Sequence, residues 1–105
     1  MIVIERPRVT GKTTILLHYM VVNQNSIYVA ITERYAERAF ERACVLGLSI
    51  NRDRFVGMTT LDDELRGRRA LVVVDDADVI INRYPDLGFN LVARADVITI
   101  TKGLR

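Results

Sequence analysis

The sequence predicts an α/β fold: a three-layer sandwich in which helices cover both faces of a five-stranded, mainly parallel sheet. Two observations predict it. Short apolar runs alternate with helical segments along the whole chain, which is the order that a parallel sheet with crossover helices requires. In addition, Ile27–Thr32 and Ala70–Val74 are apolar at almost every position, as in strands that are buried on both faces. Right-handed crossovers then bring the segments that follow the strands to one edge of the sheet, where ligands bind.

Length and composition indicate one globular domain spanning residues 1–105, long enough for a single hydrophobic core. No apolar run approaches the roughly 20 residues of a membrane span, and no basic-then-apolar leader opens the chain. We therefore expect a cytoplasmic location, in the host cytoplasm if the protein is viral, and no membrane partner. A single cysteine, Cys44, rules out an internal disulfide, and we expect it to be a small buried apolar residue. The net charge of +2 gives no global argument for nucleic acid.

Each element has its own signal in the sequence. We expect strands at Ile2–Glu5, Ile27–Thr32, Phe55–Thr59, Ala70–Val74 and Val97–Thr101, and helices at Gly11–Asn23, Glu33–Leu46, Leu61–Arg66 and Pro85–Val92. The clearest helix begins at Glu33 and ends before Gly47, since glycine is the commonest residue just after a helix. Its predicted inner stripe consists of Tyr35, Ala36, Ala39, Phe40 and Ala43.

The same helix carries two rows of charge. Glutamates recur at 33, 37 and 41, and arginines recur at 34, 38 and 42. One interpretation is an exposed face of Glu–Arg pairs, each worth about 0.3 kcal/mol. The other is a row of arginines that contacts a nucleic-acid backbone. We favour the first, because the glutamate row offsets the field of the arginines.

The loop between the first strand and the first helix ends in Gly11-Lys12-Thr13, the ending of a phosphate-binding loop. A helix N-terminus presents unpaired N–H groups and a partial positive charge to an anion. Glycine lets the backbone approach the phosphate, Lys12 would reach the β/γ-phosphates, and the Thr13 hydroxyl would ligate Mg²⁺. The usual first glycine of this pattern is replaced by Arg6.

The predicted fourth strand ends in two acids, Asp75 and Asp76. A parallel sheet delivers them to the same edge as Lys12. Asp75 would hold Mg²⁺, through water because the ion keeps much of its hydration shell. Asp76 is then positioned to orient or deprotonate an attacking water. Acids in a solvated strand-to-helix loop are the alternative, and the loop at 11–13 makes that alternative less favoured.

These two motifs resemble those of the P-loop NTPase class that includes helicases and the large subunit of phage DNA-packaging terminases, which share a RecA-like core. Residues 8–13 are similar to the terminase form of the Walker A loop, and Asp75-Asp76-Ala77-Asp78 resembles the helicase Walker B box. The resemblance covers nearly the whole chain. It implies nucleotide contacts from Thr10, Gly11, Lys12, Thr13 and Thr14. It also implies Mg²⁺ ligation by Thr13 and Asp75, and catalytic roles for Asp76, Lys12 and Arg8.

Two departures from the family shape the functional prediction. Asp76 stands where the family has a glutamate, and we expect a single core without the second domain that closes over the nucleotide in helicases. We therefore expect an ATP-binding, Mg²⁺-dependent NTPase-like protein of phage origin. It would have a DNA-related task, hydrolyse ATP slowly, and use a protein partner or a second copy to complete its site. The alternative is a catalytically degenerate fold that binds nucleotide or regulates a partner. A nucleoside or nucleotide kinase is a weaker option.

Overall fold

The computed structural model describes residues 1–6, 11–61 and 69–101. Five strands form one sheet: β1 (Ile2–Arg6), β2 (Ser26–Ala30), β3 (Phe55–Gly57), β4 (Leu71–Val74) and β5 (Val97–Thr101). The described helices are α1 (Lys12–Val22), α2 (Glu33–Val45), α3 (Ala77–Arg83) and α4 (Pro85–Ala93). Single 3₁₀ turns occupy Arg52–Arg54 and Met58–Thr60. None of the described helices is both long enough and apolar enough to span a membrane.

All five strands run parallel, in the order β1-β5-β4-β2-β3 across the sheet. The chain moves outward from β1 to β2 and β3, then returns through β4 to β5. Because crossovers are right-handed, this reversal of direction sends the later connections to the opposite face of the sheet. The carboxyl ends of β1, β5 and β4 therefore lie side by side, and β5 separates β1 from β4.

Two apolar clusters show that both faces of the sheet are covered. Along β2, Tyr28 and Ala30 belong to one cluster, and Ile27 and Val29 belong to the other. The first cluster receives Leu16, Leu17 and Met20 from α1 and Ala36, Ala39 and Ala43 from α2. The second receives Ala77 from α3 and Leu91 from α4. This alternation confirms the predicted α/β class with helices on both faces of a parallel sheet.

The boundaries of α2 follow from its end residues. The Thr32 side chain accepts a hydrogen bond from the Tyr35 N–H and so caps the first turn. Gly47 adopts a φ of +74° just after the end, in the left-handed region that glycine tolerates best. The observed helix stops one residue before the predicted end at Leu46.

The third strand is shorter than predicted, ending at Gly57 and not at Thr59. The reason lies in α2: Glu33 Oε1 accepts the Gly57 N–H at 2.8 Å and the Thr60 hydroxyl at 2.8 Å. The Gly57 N–H is therefore bonded to a side chain and not to another strand, and the chain continues into the 3₁₀ turn Met58–Thr60. A Cβ on Gly57 would lie 2.8 Å from the Glu33 nitrogen, so this approach requires glycine.

Three other expectations need correction. No helix was predicted for residues 77–83, but the seven-residue helix α3 forms there. Tyr35 is 44% exposed, so it lies outside the inner stripe of α2. Cys44, expected in the core, is exposed, because the buried face of that turn is occupied by Ala43. The predicted helix 61–66 lies outside the described residues beyond Leu61.

Candidate functional site

The first residue of α1 meets the acids that follow β4 at the carboxyl edge of the sheet. Lys12 Nζ lies 3.0 Å from Asp76 Oδ1 and donates a hydrogen bond to Thr101 Oγ1 at 2.9 Å. The Lys12 side chain is only 11% exposed, whereas that of Asp76 is 42% exposed. Lys12 therefore joins the ends of β4 and β5 at the point where α1 begins.

Asp75 is buried and accepts hydrogen bonds from three side chains. The Thr13 hydroxyl donates to Oδ2, and the Thr99 hydroxyl donates to Oδ1. The Tyr28 hydroxyl lies 3.4 Å from Oδ2 and makes the longest of the three contacts. Thr99 also accepts the Asp76 N–H at 2.8 Å, so this fully buried threonine links the two neighbouring acids.

The electrostatics of Asp75 result from opposing effects. Burial raises the pKa of its carboxyl group above the ordinary value, and the hydrogen bonds from Thr13 and Thr99 act against that rise. The negative charge of Asp76 raises the pKa further, and the positive charge of Lys12 lowers it. Burial has the largest effect, so the surroundings of Asp75 disfavour its charged form.

The phenol of Tyr28 responds to the same acids. Its pKa lies well above the ordinary value, first because Tyr28 is buried and then because Asp75 and Asp76 repel a negative phenolate. Tyr28 therefore remains a neutral hydrogen-bond donor towards Asp75.

Two residues of the site have left-handed backbone conformations. Gly11 has φ +78° just before α1, and Asp76 has φ 53° and ψ 48° just before α3. Glycine adopts this conformation at no steric cost. Asp76 is the sole non-glycine residue with positive φ in the described part of the chain, and such strain is concentrated at functional sites. The turn at Asp76 lets two adjacent side chains, Asp75 and Asp76, both reach the start of α1.

Lys12, Thr13, Asp75 and Asp76 line one cleft of about 550 Å³ between α1, α2 and α3. Its lining combines Lys12, Asp75 and Asp76, which we call the acid–lysine cluster, with parts of β2 and with aromatic and basic side chains from α2 and α3. The lining residues from the helices and acids include Gly11, Lys12, Thr13, Thr14, Tyr35, Arg38, Arg42, Asp75, Asp76, Arg83 and Tyr84. The volume lies within the range typical of sites for small ligands and cofactors.

The oxygen atoms at the start of α1 suit a hard cation. Thr13 and Asp75 already direct a hydroxyl and a carboxylate oxygen at each other. Mg²⁺ in nucleotide sites is usually held by one or two carboxylates, substrate phosphates and water. Within the described residues, no group of three or more His, Cys, Asp or Glu side chains forms a metal site. The donor set therefore fits a cation that arrives with phosphate oxygens more closely than one held by protein alone.

The structure brings together six of the residues predicted for the site. They are Gly11, Lys12, Thr13, Thr14, Asp75 and Asp76, which all line the cleft. Arg8 and Thr10 are also predicted site residues, and they lie outside the described residues. The roles assigned to all eight residues remain predictions.

Sequence reasoning missed part of the site. Thr99 and Thr101 lie in a predicted strand, where buried threonine is common, yet both contact the acid–lysine cluster. The pattern around Tyr28 marks it only as a strand residue. The sequence does mark Arg38 and Arg42, because they belong to the arginine row of α2. It does not mark Arg83 and Tyr84, because no helix was predicted where α3 forms.

Comparisons with known proteins return no match: no family model, no curated protein and no solved structure matches this chain. The chemistry of the cleft therefore has to be inferred from the contacts and charges of its own residues.

Proposed function

We propose that this protein binds ATP with Mg²⁺ as a P-loop NTPase-like domain and hydrolyses it slowly. One observation carries the proposal: Lys12 and Thr13, in the first turn of α1, contact Asp76 and Asp75 at the end of β4. A loop-to-helix cation, a hydroxyl and two acids at one edge of a parallel sheet form the set of groups that phosphoryl transfer requires.

The start of α1 supports phosphate binding at this place. The first N–H groups of a helix have no partner within the helix, and the first intrahelical bond here runs from the Ile15 N–H to the Gly11 carbonyl. These groups and the helix dipole favour an anion beside Lys12. Gly11 just before the helix has a left-handed backbone, a conformation that glycine adopts without steric cost.

The order of the strands also supports the proposal. β5 lies between β1, the strand before Lys12, and β4, the strand before the two acids. Its Thr101 accepts from Lys12, and its Thr99 contacts Asp75 and the Asp76 N–H. β5 therefore contacts both the lysine proposed to bind phosphate and the two acids.

In this proposal Lys12 stabilises the negative charge on the transferred phosphoryl group, and Asp76 orients the attacking water. Mg²⁺, when bound beside Thr13 and Asp75, would offset the charge of the phosphate oxygens. The resemblance further suggests a phage protein with a DNA-related task, in packaging or as a helicase-like accessory. A protein partner or a second copy would complete the site.

A second candidate function, nucleotide binding without turnover, is favoured by the contact between Lys12 and Asp76. The carboxylate proposed to orient water is instead paired with the lysine proposed to bind phosphate. Aspartate is also one methylene shorter than glutamate, and a misplacement of about 1 Å lowers a rate by roughly 100-fold. Such a protein would act as a nucleotide-dependent regulator or interaction partner.

The decisive experiment is a titration of ATP–Mg²⁺ by calorimetry, together with steady-state phosphate release. Lys12→Ala should weaken binding about 100-fold, because a charge-assisted contact worth roughly 3 kcal/mol is lost. Arg34→Ala removes a cation of α2 that does not line the cleft, and it should leave binding unchanged.

The Asp76→Asn variant separates the two candidates. Turnover that is lost in both Lys12→Ala and Asp76→Asn supports the NTPase. Binding by the wild type without phosphate release, and tighter binding by Asp76→Asn, supports a non-catalytic nucleotide site in which Asp76 competes for Lys12. If the wild type does not bind ATP–Mg²⁺ at all, both candidates are wrong.

A further inference from the structure

The cleft extends beyond the acid–lysine cluster to a second set of side chains, which we call the arginine end. It is formed by Tyr35, Arg38 and Arg42 of α2 and by Arg83 and Tyr84 at the end of α3. None of these five residues has a role in the phosphate and Mg²⁺ contacts proposed for ATP.

The charges of the cleft are unequal. Its lining contains four cations, namely Lys12, Arg38, Arg42 and Arg83, and two carboxylates, those of Asp75 and Asp76. Lys12 pairs with one carboxylate, and the hydroxyls of Thr13 and Thr99 donate to the other. The two carboxylates therefore already have partners, and the surplus of positive charge among the lining residues favours an anion at the arginine end.

The glutamates of α2 do not cancel this charge in the way the sequence suggested. Glu33 accepts from Gly57 and Thr60, and Glu37 pairs with Arg52. Both acids are turned towards the segment around β3, and neither lines the cleft. No Glu–Arg ion pair forms within α2 among its described residues, and Glu41, the third glutamate of the row, does not line the cleft.

Aromatic rings accompany the arginines. Tyr35 is 44% exposed and Tyr84 is 40% exposed, so each presents part of its surface to a ligand. The Arg38 guanidinium lies 5.5 Å from the centroid of the Tyr35 ring, within the range of a cation–π contact. Guanidinium groups suit phosphate oxygens, and exposed rings stack with nucleobases.

We propose that the arginine end binds a nucleotide unit distinct from the ATP at Lys12: its phosphate contacts the arginines and its base stacks on Tyr35 or Tyr84. The unit can come from a free mononucleotide or from a single-stranded nucleic acid, because both present a phosphate beside a base. This site goes beyond the proposed ATP function and does not depend on Lys12.

The test is fluorescence anisotropy of the full chain with a labelled thymidine oligonucleotide of about ten residues, and competition by thymidine monophosphate. Arg42→Gln should weaken binding of the probe about tenfold, since a charge-assisted phosphate contact is lost. Arg34→Gln is the matched control: it makes the same charge change two turns earlier on α2, outside the cleft lining, and binding should change less than about twofold. Tyr84→Leu should weaken binding by about tenfold through lost stacking.

Two further measurements complete the test. Lys12→Ala should retain oligonucleotide binding while it loses ATP, which separates failure of this site from failure of the ATP proposal. Competition by the monophosphate identifies a free nucleotide as the ligand, and binding of the oligonucleotide alone identifies a single strand. No binding of either probe, or equal loss in Arg34→Gln and Arg42→Gln, would overturn the proposal, because the charge would then act without a defined site.

Discussion

The two edges of the sheet each hold a cation in a network of hydrogen bonds, but the partners differ in kind. At the amino edge, Arg54 donates to the backbone carbonyls of Met20, Asn23 and Ser26 and to the Ser26 hydroxyl. At the carboxyl edge, Lys12 contacts the side chains of Asp76 and Thr101. Both cations join α1 to neighbouring strands.

The difference shows how one fold separates stability from ligand binding. Backbone carbonyls cannot rotate away, so Arg54 holds the end of α1, the start of β2 and the approach to β3 in fixed positions. Side-chain partners can turn towards a ligand without breaking the fold. The carboxyl edge also contains a carboxylate whose charge is disfavoured, Asp75, and a strained backbone at Asp76, which are features of functional sites.

The largest effect on stability is expected at the amino edge. Arg54→Gln should lower the free energy of unfolding by about 3 kcal/mol, because it removes a charged donor from three partly buried carbonyls. Urea denaturation measures this loss, and Arg34→Gln should stay within about 0.5 kcal/mol of the wild type. If Arg54→Gln is as stable as that control, the contrast between the two edges fails.

A second prediction tests whether adjustable contacts extend along the whole carboxyl edge or whether the end of β3 is tightly packed. Gly57→Ala should cost about 2 kcal/mol of unfolding free energy, because its Cβ would lie 2.8 Å from both the backbone nitrogen and Oε1 of Glu33. A Cβ on Gly47 would have no atom within 4 Å, and only the φ of +74° opposes a side chain there. Gly47→Ala should therefore cost about 1 kcal/mol. Thermal and urea unfolding of the two variants measures both losses. A larger loss for Gly57→Ala would show that the end of β3 is tightly packed, so that adjustable side-chain contacts are limited to the ends of β1, β5 and β4. A smaller loss for Gly57→Ala than for Gly47→Ala would contradict this.

The backbone at Asp76 gives a smaller effect. Asp76→Ala and Asp76→Gly both remove the ion pair with Lys12. Because the Asp76 side chain is 42% exposed, this ion pair is worth less than about 1 kcal/mol. Only glycine relieves the left-handed conformation, so Asp76→Gly should be more stable than Asp76→Ala by about 1 kcal/mol. Equal unfolding free energies for the two variants would show that residue 76 changes conformation once its carboxylate is removed.

The last prediction depends on pH. The pKa of Asp75 is raised in the folded protein, so the unfolded chain ionises this group first. Stability is therefore lost as the pH rises from the ordinary aspartate pKa, about 3.9, through the raised folded pKa, and the full loss is present above it. Asp75→Asn cannot ionise. The melting temperature of Asp75→Asn minus that of the wild type should therefore increase from acid to neutral pH. If this difference does not change with pH, the prediction is wrong. Calorimetric scans across that range measure the change.

Much of the fold was predictable because its signals are local. The alternation of apolar runs and helices and the glycine at 47 each specify structure within a few residues. The contact between Lys12 and the acids after β4 follows from the rule that parallel strands end at one edge. These signals required no knowledge of the order in which the strands pair.

The remainder depends on contacts between distant residues. The end of β3 at Gly57 is set by a glutamate 24 positions earlier, and no local pattern records this. Arg38 and Arg42 looked balanced by neighbouring glutamates, but Glu37 pairs with Arg52 across 15 positions. The short helix α3 has too few turns for its periodicity to stand out, so Arg83 and Tyr84 could not be placed in the cleft.

The position of β5 has a consequence for when the cleft can form. Within the described sheet β1 pairs only with β5, and the bond between Lys12 and Thr101 joins residues 89 positions apart. Contacts of such long separation form slowly, because a large loop must close first. On the ribosome, Lys12 therefore emerges long before its β5 partner, and a nascent chain lacks the assembled site until the segment carrying Thr101 has been synthesised and released from the exit tunnel.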